Sequence, residues 1–482
     1  MDQLAAWWRD CFTLDARSLA AFRIALGLIL VCDCWLRFRT RSLMFAADGV
    51  FPPDLLREYQ GTSATWSLAL LWDAAWWGTT VLAFEGLAGA WLATGVGSRA
   101  ATVAAWMATV SVVQRTAPAA NAGDFLLVCL LFWSMFLPLG AAWAVGSRRG
   151  PTPGAVLSVA SAALVLQVAA VYLGAGLAKL NDAWLSGAAL SYALSVHDHG
   201  NSWGMALAEH DWLTRPATWL ILALELGGPI IAVLVPQRTI RGVVVALFML
   251  FHVAVWTTMW VGIFAPVGIA AWLPLVPAAA WDAVPGRRRE DGLVRLGWTG
   301  SLVSGVAAAV AAAAFLQRGG LLGDRSLPPP VRSVMLALAL DQRWDMFGTI
   351  PLQEQWVYGE ATLADGRVVD LLRHGRPIER DRPAGGFSSL GTHRWHKLFW
   401  NLAGEECRRF ASPTAAALAR SWNASHDGSE RVVSLELRFA MRREAPGGPA
   451  VQDMLLAAWP ARGDSGRGNL DRLLDSADAG QR

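Results

Sequence analysis

The chain has 482 residues and a formal net charge of +3; 16% of its side chains are charged and 54% hydrophobic, with a mean hydropathy of +0.36. A soluble globular chain carries about 25% charge, so an ordinary soluble protein is excluded, and the evenly spread, near-neutral balance gives no sign of a nucleic-acid partner. The composition steps near residue 317: residues 1–317 hold 19 basic and 18 acidic side chains, whereas residues 318–482 hold 22 and 20.

The N-terminus, with Trp7-Trp8 and Asp10, has no basic region and no small-residue cleavage site, so the first apolar run is expected to be a span rather than a signal peptide. A helix needs about 20 mainly apolar residues to cross a bilayer. Runs of that kind lie at 19–36, 79–97, 100–117, 125–145, 155–178, 217–235, 241–260, 262–281 and 297–316. They predict an all-α polytopic membrane bundle of about eight or nine transmembrane helices over residues 1–317. The stretch 66–77, with four tryptophans, is too short to span and suits the membrane interface. With the N-terminus inside, the inner loops hold Arg9, Arg17, Arg99, Arg148-Arg149, Arg238, Arg241 and Arg287-Arg288-Arg289. The outer loops hold Arg115, Lys179, Arg215 and one conflicting cluster, Arg37, Arg39, Arg41 and Arg57. The balance places the N-terminus in the cytoplasm, and nine spans then place the C-terminal part outside.

After the proline run Pro328-Pro329-Pro330, read as a stiff spacer, a small α+β soluble domain is expected over 318–460. Gln355–Leu363 and Arg367–Leu372 flank Asp365-Gly366, a hairpin signal, and Arg431–Arg438 alternates as a strand. His393–Phe410 and Pro413–Ser421 read as helices, the second with Ser412 as N-cap. The tail 461–482 is expected to be disordered. Of five cysteines only Cys407 lies in this region, so it has no internal disulfide. No internal repeat is visible.

Of 41 basic residues only Lys179 and Lys397 are lysines, so a lysine here marks a place where an amine rather than a guanidinium is needed. Ionisable groups inside apolar spans are costly and point to function; they are Glu85, Lys179, Glu225 and His252. Lys179 has two readings: a cation snorkelling from a helix C-terminus, or an amine whose desolvation disfavours its charged form and leaves it available as a base. His252 is either an interhelical hydrogen bond or a proton shuttle. Glu225, before Gly227-Gly228-Pro229 in a span with a break, is a protonated acid or the partner of a cation such as Lys179. Glu85 suits a neutral interhelical hydrogen bond. Asp124 is explained as the N-cap of the following span. His197-Asp198-His199 is compatible with a metal, but in a polar loop the plainer reading is loop; Cys32 and Cys34 bracket no zinc spacing, so no metal is expected. No P-loop, dinucleotide fingerprint or nucleophile elbow occurs. Asn423-Ala424-Ser425 matches the glycosylation sequon.

Several segments together resemble a known family. Asp15-Ala16-Arg17-Ser18-Leu19 leading into Phe22-Arg23-Ile24-Ala25-Leu26-Gly27, and Asp48-Gly49-Val50-Phe51-Pro52, resemble the start of the HTTM (horizontally transferred transmembrane) domain. Tyr172-Leu173-Gly174-Ala175-Gly176-Leu177-Ala178-Lys179-Leu180, continuing through Trp184 and Gly187, is similar to the segment bearing the proposed base lysine of vitamin K-dependent gamma-glutamyl carboxylases. Phe251-His252 followed by Gly262-Ile263-Phe264 is similar to their histidine-bearing helix, and Gln342-Arg343-Trp344-Asp345-Met346-Phe347 resembles the C-terminal region of bacterial HTTM proteins.

The resemblance implies a bacterial inner-membrane enzyme whose lysine deprotonates reduced vitamin K, a menaquinol-type quinol. In those carboxylases the quinol then reacts with oxygen, and the strong base so formed takes a γ-proton from peptide glutamate. The carbanion captures carbon dioxide and the quinone leaves as its epoxide. Carried over, Lys179 is the base, His252 positions the quinone, and Tyr172, Trp184, Glu225 and Trp256 border it. The implied partners are the lipid bilayer, an isoprenoid quinone and a peptide or secreted protein. Where the carboxylases carry a further histidine after an asparagine, this chain reads Asn121-Ala122-Gly123-Asp124, and its soluble region is short. Both departures speak against peptide glutamate as substrate. The rival readings are a non-enzymatic scaffold or maturation factor whose outer domain binds a secreted partner, and a transporter, for which no inverted repeat is seen.

Overall fold

A computed structural model gives the fold and describes residues 2–61, 65–74, 76–146, 152–195, 199–282, 289–295, 298–318, 327–350, 353–383, 385–443 and 450–460. Helix α1 (Asp2–Phe12) precedes α2 (Ala16–Phe38), which Asp15 opens by accepting the Arg17 backbone N–H. Next come α3 (Trp77–Thr94) and α4 (Ser98–Arg115), joined by Gly95 and Gly97, both at positive φ, where a side chain would be strained. Then follow α5 (Ala122–Ser134), α6 (Val159–Ala178), α7 (Asp211–Leu234), α8 (Arg238–Thr258), α9 (Phe264–Trp272) and α10 (Trp298–Arg318). Among the described residues four of these, α2, α6, α7 and α8, are long and apolar enough to cross a membrane, while α5 and the run Phe264–Leu275 are apolar but shorter. The break expected at Gly227-Gly228-Pro229 is absent: α7 runs on to Leu234 with Pro216 and Pro229 inside it. Pro229 has no N–H to return to the Glu225 carbonyl, so the helix loses one bond there instead of ending.

Small residues set the closest approach in the bundle. A Cβ on Gly27 of α2 would meet the Gly89 carbonyl of α3 at 2.5 Å, and one on Gly89 would meet the Leu30 Cβ at 2.6 Å. In an apolar solvent, close backbone contact of this kind supplies much of the packing energy between helices.

Helix ends gather at two poles. At the first, β1 (Leu14–Asp15), β2 (Thr152–Leu157) and β3 (Arg289–Arg295) form a three-stranded sheet, β1–β2 antiparallel and β2–β3 parallel. At the opposite pole the end of α2, the 116–121 turn, residues 179–195 and the 259–263 turn meet the C-terminal region. There β4 (Glu354–Leu363), β5 (Val368–Asp370), β6 (Arg376–Pro377), β7 (Val432–Arg443) and β8 (Ala450–Trp459) form a five-stranded antiparallel sheet in the order β6-β5-β4-β7-β8. The hairpin signal at Asp365-Gly366 is the β4–β5 turn, with Gly366 at φ 85°. Along β4, Trp356 and Tyr358 pack with Ala440 on one face, while Val357, Ala361 and Leu363 face the larger core. That core is shared: it continues into Phe45, Val50, Phe51 and Val112 of the bundle, and the Phe51 and Phe410 rings meet edge to face at 5.6 Å.

The C-terminal helices differ from expectation. The run 393–410 splits into α11 (His393–Leu402) and a 3-10 turn at Arg408–Phe410, because the helix stops at Ala403-Gly404. α12 runs Ala411–Asn423, so Ser412 lies inside it and Pro413 is its third residue, still in the first turn, where a missing N–H costs no helical bond. Pro329 and Pro330 likewise begin a short helix, Pro329–Ala337, rather than a spacer. Asn423 of the sequon exchanges two hydrogen bonds with the Val432 main chain, at 2.7 and 3.0 Å. Arg148, Arg149, Arg287, Arg288, His197, Asp198 and the tail 461–482 lie outside the described residues.

Gly89→Leu should force α2 and α3 apart and cost about 1–3 kcal/mol, the usual penalty for overpacking. The expected outcome is a lower thermal midpoint in detergent, whereas Leu87→Ala, at an exposed position of the same helix, should leave it nearly unchanged.

Candidate functional site

Lys179 ends α6 as its C-cap residue and is 2% exposed. Its Nζ lies 2.8 Å from Glu225 Oε2, donates to the Met346 carbonyl at 2.7 Å, and sits 5.1 Å from the centre of the Trp184 ring. The pairing follows from the local sequence. Gly176 lets α6 and α7 touch, since a Cβ there would meet Leu226 at 3.0 Å and the Glu225 main chain at 3.2 Å. This contact carries Glu225 to the end of α6. The snorkelling reading is therefore corrected, because the amine turns inward to a carboxylate rather than outward to solvent.

A strap from the C-terminal region closes the site. Lys179, Trp184 and Asn181 donate to the three successive carbonyls of Met346, Phe347 and Gly348 at 2.7, 2.8 and 2.8 Å. Phe347 has φ 57°, a rare conformation for a bulky residue. Gly348 packs so tightly on Ala178 that a Cβ would fall within 2.9 Å of its side chain. Further back, Gln342 and Gln167 of α6 exchange amide hydrogen bonds at 2.7 and 3.1 Å, and both Trp133 and Trp344 donate into this pair.

Tyr172 and His252 form a second layer. Tyr172 lies seven residues before Lys179 on α6, about two turns or roughly 10 Å along the axis, so the structure does not bring Lys179 and His252 into contact. The Tyr172 hydroxyl and His252 Nε2 are 2.6 Å apart, ringed by Phe248, Phe251, Phe264 and Trp272. A Cβ on Gly268 would lie 2.2 Å from the imidazole, so only glycine leaves His252 room. Trp256, expected beside the cofactor, is instead 57% exposed on the outer side of α8.

Two buried carboxylates, Asp124 and Asp33, anchor the C-terminal region. Asp124 is not an N-cap. Asn121 caps α5, and Asp124, at the third helical position, completes a capping box by accepting the Asn121 N–H at 2.9 Å. Asp124 and Asp33 also share two arginines. Arg37 reaches Asp33 and Asp124, each at 2.6 Å; Arg394 of α11 reaches Asp33 at 2.8 Å and both Asp124 oxygens at 3.0 Å. The four charges cancel, and every carboxylate oxygen has a donor. Arg37 thus leaves the conflicting outer-loop cluster. Arg115 and Arg241 are also buried, donating to main-chain carbonyls of Phe45, Ala46 and Phe51, and of Ala232 and Cys11, respectively. Glu85 is fully buried nearby, and its carboxylate has no hydrogen-bond donor among the described residues.

Between the bundle and the C-terminal region lies a cavity of about 490 Å³, walled by Phe264, Phe347 and Trp400 and bearing Asn121, Lys397 and three histidines, His199, His393 and His396. Met346 is also in its wall, so Lys179 sits directly behind it, while Phe264 separates it from His252. Both lysines of the chain therefore border this junction. Burial pulls the Lys397 amine below its usual value against the opposing effect of Asp345. Burial, reinforced by His199, Arg394 and Lys397, holds the His393 imidazole well below its usual value. Sequence reasoning missed Arg394, His393 and His396. The one local signal is the His393-Arg394-Trp395-His396 spacing, which puts two histidines on one helical face.

A family model described as the HTTM domain matches residues 12–281. No curated protein and no solved structure matches the chain.

Arg394→Leu should leave Asp33 and Asp124 buried with one cation too few and lower the unfolding free energy by roughly 3–5 kcal/mol. Combined with Asp124→Leu it should cost less than the sum of the single losses; additive losses in denaturant unfolding would contradict the pairing.

Proposed function

The chain belongs to the HTTM domain family, membrane proteins related to the vitamin K-dependent carboxylases, and on that premise we propose that it is a membrane enzyme using Lys179 as a base toward a reduced isoprenoid quinone. The observation that carries this reading is the placement of a buried lysine–glutamate pair directly behind a cavity wall. The pair is neutral overall whichever partner holds the proton. A proton can therefore pass from Nζ to the Glu225 carboxylate across 2.8 Å without leaving net charge in the apolar bundle, and the amine is then free to accept another.

The cavity suits such a ligand in size, since small-molecule sites commonly run about 300–1,000 Å³. Phe264, Phe347 and Trp400 offer flat apolar faces for a fused ring, with Asn121 and Lys397 as polar contacts. Phe125 and Ala122 of α5 line the same cavity, and Phe125 is 42% exposed on the bundle surface, a way out for an isoprenoid tail. A bound quinol would supply the acidic hydroxyl and, with molecular oxygen, the oxidative driving force for taking a proton from a carbon acid. On this reading Glu225 stores the lysine's proton, the strap positions the amine, and yielding of the Met346 carbonyl opens Lys179 to the ligand. Tyr172 and His252 support Phe264 from the deeper side.

For topology we place the N-terminus in the cytoplasm and the C-terminal region outside, with the helices α2 to α10 as nine crossings. The support is that the N-terminal sheet and the C-terminal region occupy opposite poles, as an odd number of crossings requires.

Lys179→Arg keeps the positive charge but cannot supply a neutral amine at neutral pH. In proteoliposomes containing menaquinol it should lower quinol turnover by at least about 100-fold, the scale of a lost general base, while the thermal midpoint stays within a few degrees. Turnover equal to that of the parent protein would remove Lys179 from the chemistry.

A further inference from the structure

We propose that His199, His393 and His396 form a binding site for a divalent first-row transition-metal ion, zinc in type, in the wall of the junction cavity. Their candidate ligand nitrogens all lie within 4.8 Å of one another, and all three residues line the cavity. They come from two distant segments. His393 and His396 stand one turn apart on α11, so the helix fixes their spacing. His199 comes from the bundle side, where its carbonyl accepts the Trp260 N–H at 2.6 Å and the next residue, Gly200, bridges to Met259.

The chemistry of the donor set suits the ion. Imidazole nitrogen is a preferred ligand for zinc, copper, nickel and iron, and three imidazoles with one position left open is a known zinc arrangement. Zinc–nitrogen bonds of about 2.0–2.1 Å put tetrahedral ligand atoms about 3.4 Å apart, so the rings need to close by only about 1–1.5 Å. Aromatic neighbours hold them. Phe387 stacks on His396 at 4.4 Å and 15°, Phe347 meets His199 edge-on at 5.2 Å, and Trp260 meets His393 at 6.0 Å. Such a shell orients ligands and limits water. Of the other charges in the wall, the two cations Arg343 and Lys397 both face Asp345, which pairs with Arg343 at 2.7 Å and also attracts the Lys397 amine. A fourth ligand would be an oxygen donor from the cavity, either water or a substrate carboxylate.

The site goes beyond the proposed base chemistry and does not depend on it. The test uses full-length protein in detergent, stripped with a chelator and dialysed against zinc, with bound metal read by elemental analysis. One tightly held zinc per chain is expected, together with a zinc-dependent rise in thermal midpoint. His199→Ala and His393→Ala should each weaken zinc binding by more than about 100-fold, the upper end of what losing an outer-shell partner costs. His426→Ala, at a histidine stacked on Trp422 outside the cluster, should leave it unchanged, and so should Lys179→Arg, which keeps a cation beside Glu225 and the strap. The second control separates failure of this site from failure of the lysine chemistry. His396 is nearly fully buried, so His199→Ala, at a less buried position, keeps the test open if the His396 variant does not fold. No stoichiometric zinc in the parent protein, or an affinity in His199→Ala and His393→Ala equal to the parent's, would overturn the proposal.

Discussion

The junction depends on three main-chain carbonyls. Those of Met346, Phe347 and Gly348 are partly buried against the bundle, where a donor for each is favoured, and Lys179, Trp184 and Asn181 supply them. The need is mutual. A lysine amine inside an apolar bundle is tolerable only with acceptors around it, and Glu225 alone fills one of its three positions. Each side therefore completes the other. The strap is ordered because the lysine segment binds it, and the amine is held inward because the strap is present.

The same mutual dependence recurs at the Asp33–Arg37–Asp124–Arg394 group, where α11 supplies the second cation for two carboxylates of the bundle. It recurs again in the apolar core that runs from Phe51 to Phe410. Removing residues 331–482 would strand a buried amine, two buried carboxylates and an apolar surface together. The C-terminal region is thus structurally continuous with the bundle, which weighs against a scaffold whose membrane part stands unaided. It also makes the junction cavity, rather than the centre of the bundle, the place where polar side chains of the bundle and of the C-terminal region meet.

Much of this was legible in the sequence where the signal is local. Apolar runs marked the helices, Asp365-Gly366 marked the β4–β5 turn, and the scarcity of lysine pointed to both Lys179 and Lys397, which border one cavity wall. The option that Glu225 partners Lys179 was open from the residues alone. The misreadings also have local causes. Arg37, Arg115 and Arg241 looked like loop charges because burial does not show in a charge count, yet each is enclosed by carboxylates or carbonyls. Asp124 looked like a sufficient cap because its role three residues into a capping box differs from an N-cap only in three dimensions. Trp256 follows His252 by one turn, but α8 is only partly enclosed and turns that side outward. The three histidines were illegible as a group, since His199 belongs to the bundle and the others to α11 of the C-terminal region, nearly 200 residues on. The sheet β1–β2–β3 was hidden for the same reason, being assembled from three short, distant segments, one of which overlaps the start of the expected span 155–178.

The claim that Lys179 is sealed behind the strap can be tested directly, because a chain with two lysines gives an unambiguous readout. The folded protein would be treated briefly with a small amine-reactive reagent, and the extent of labelling at Lys179 and Lys397 read by mass spectrometry against the denatured chain. Lys179 should be strongly protected in the parent protein and should lose that protection in Asn181→Ala and Gln342→Ala, where the strap is released. Labelling of Lys179 as fast in the folded parent as in the denatured chain would contradict the account.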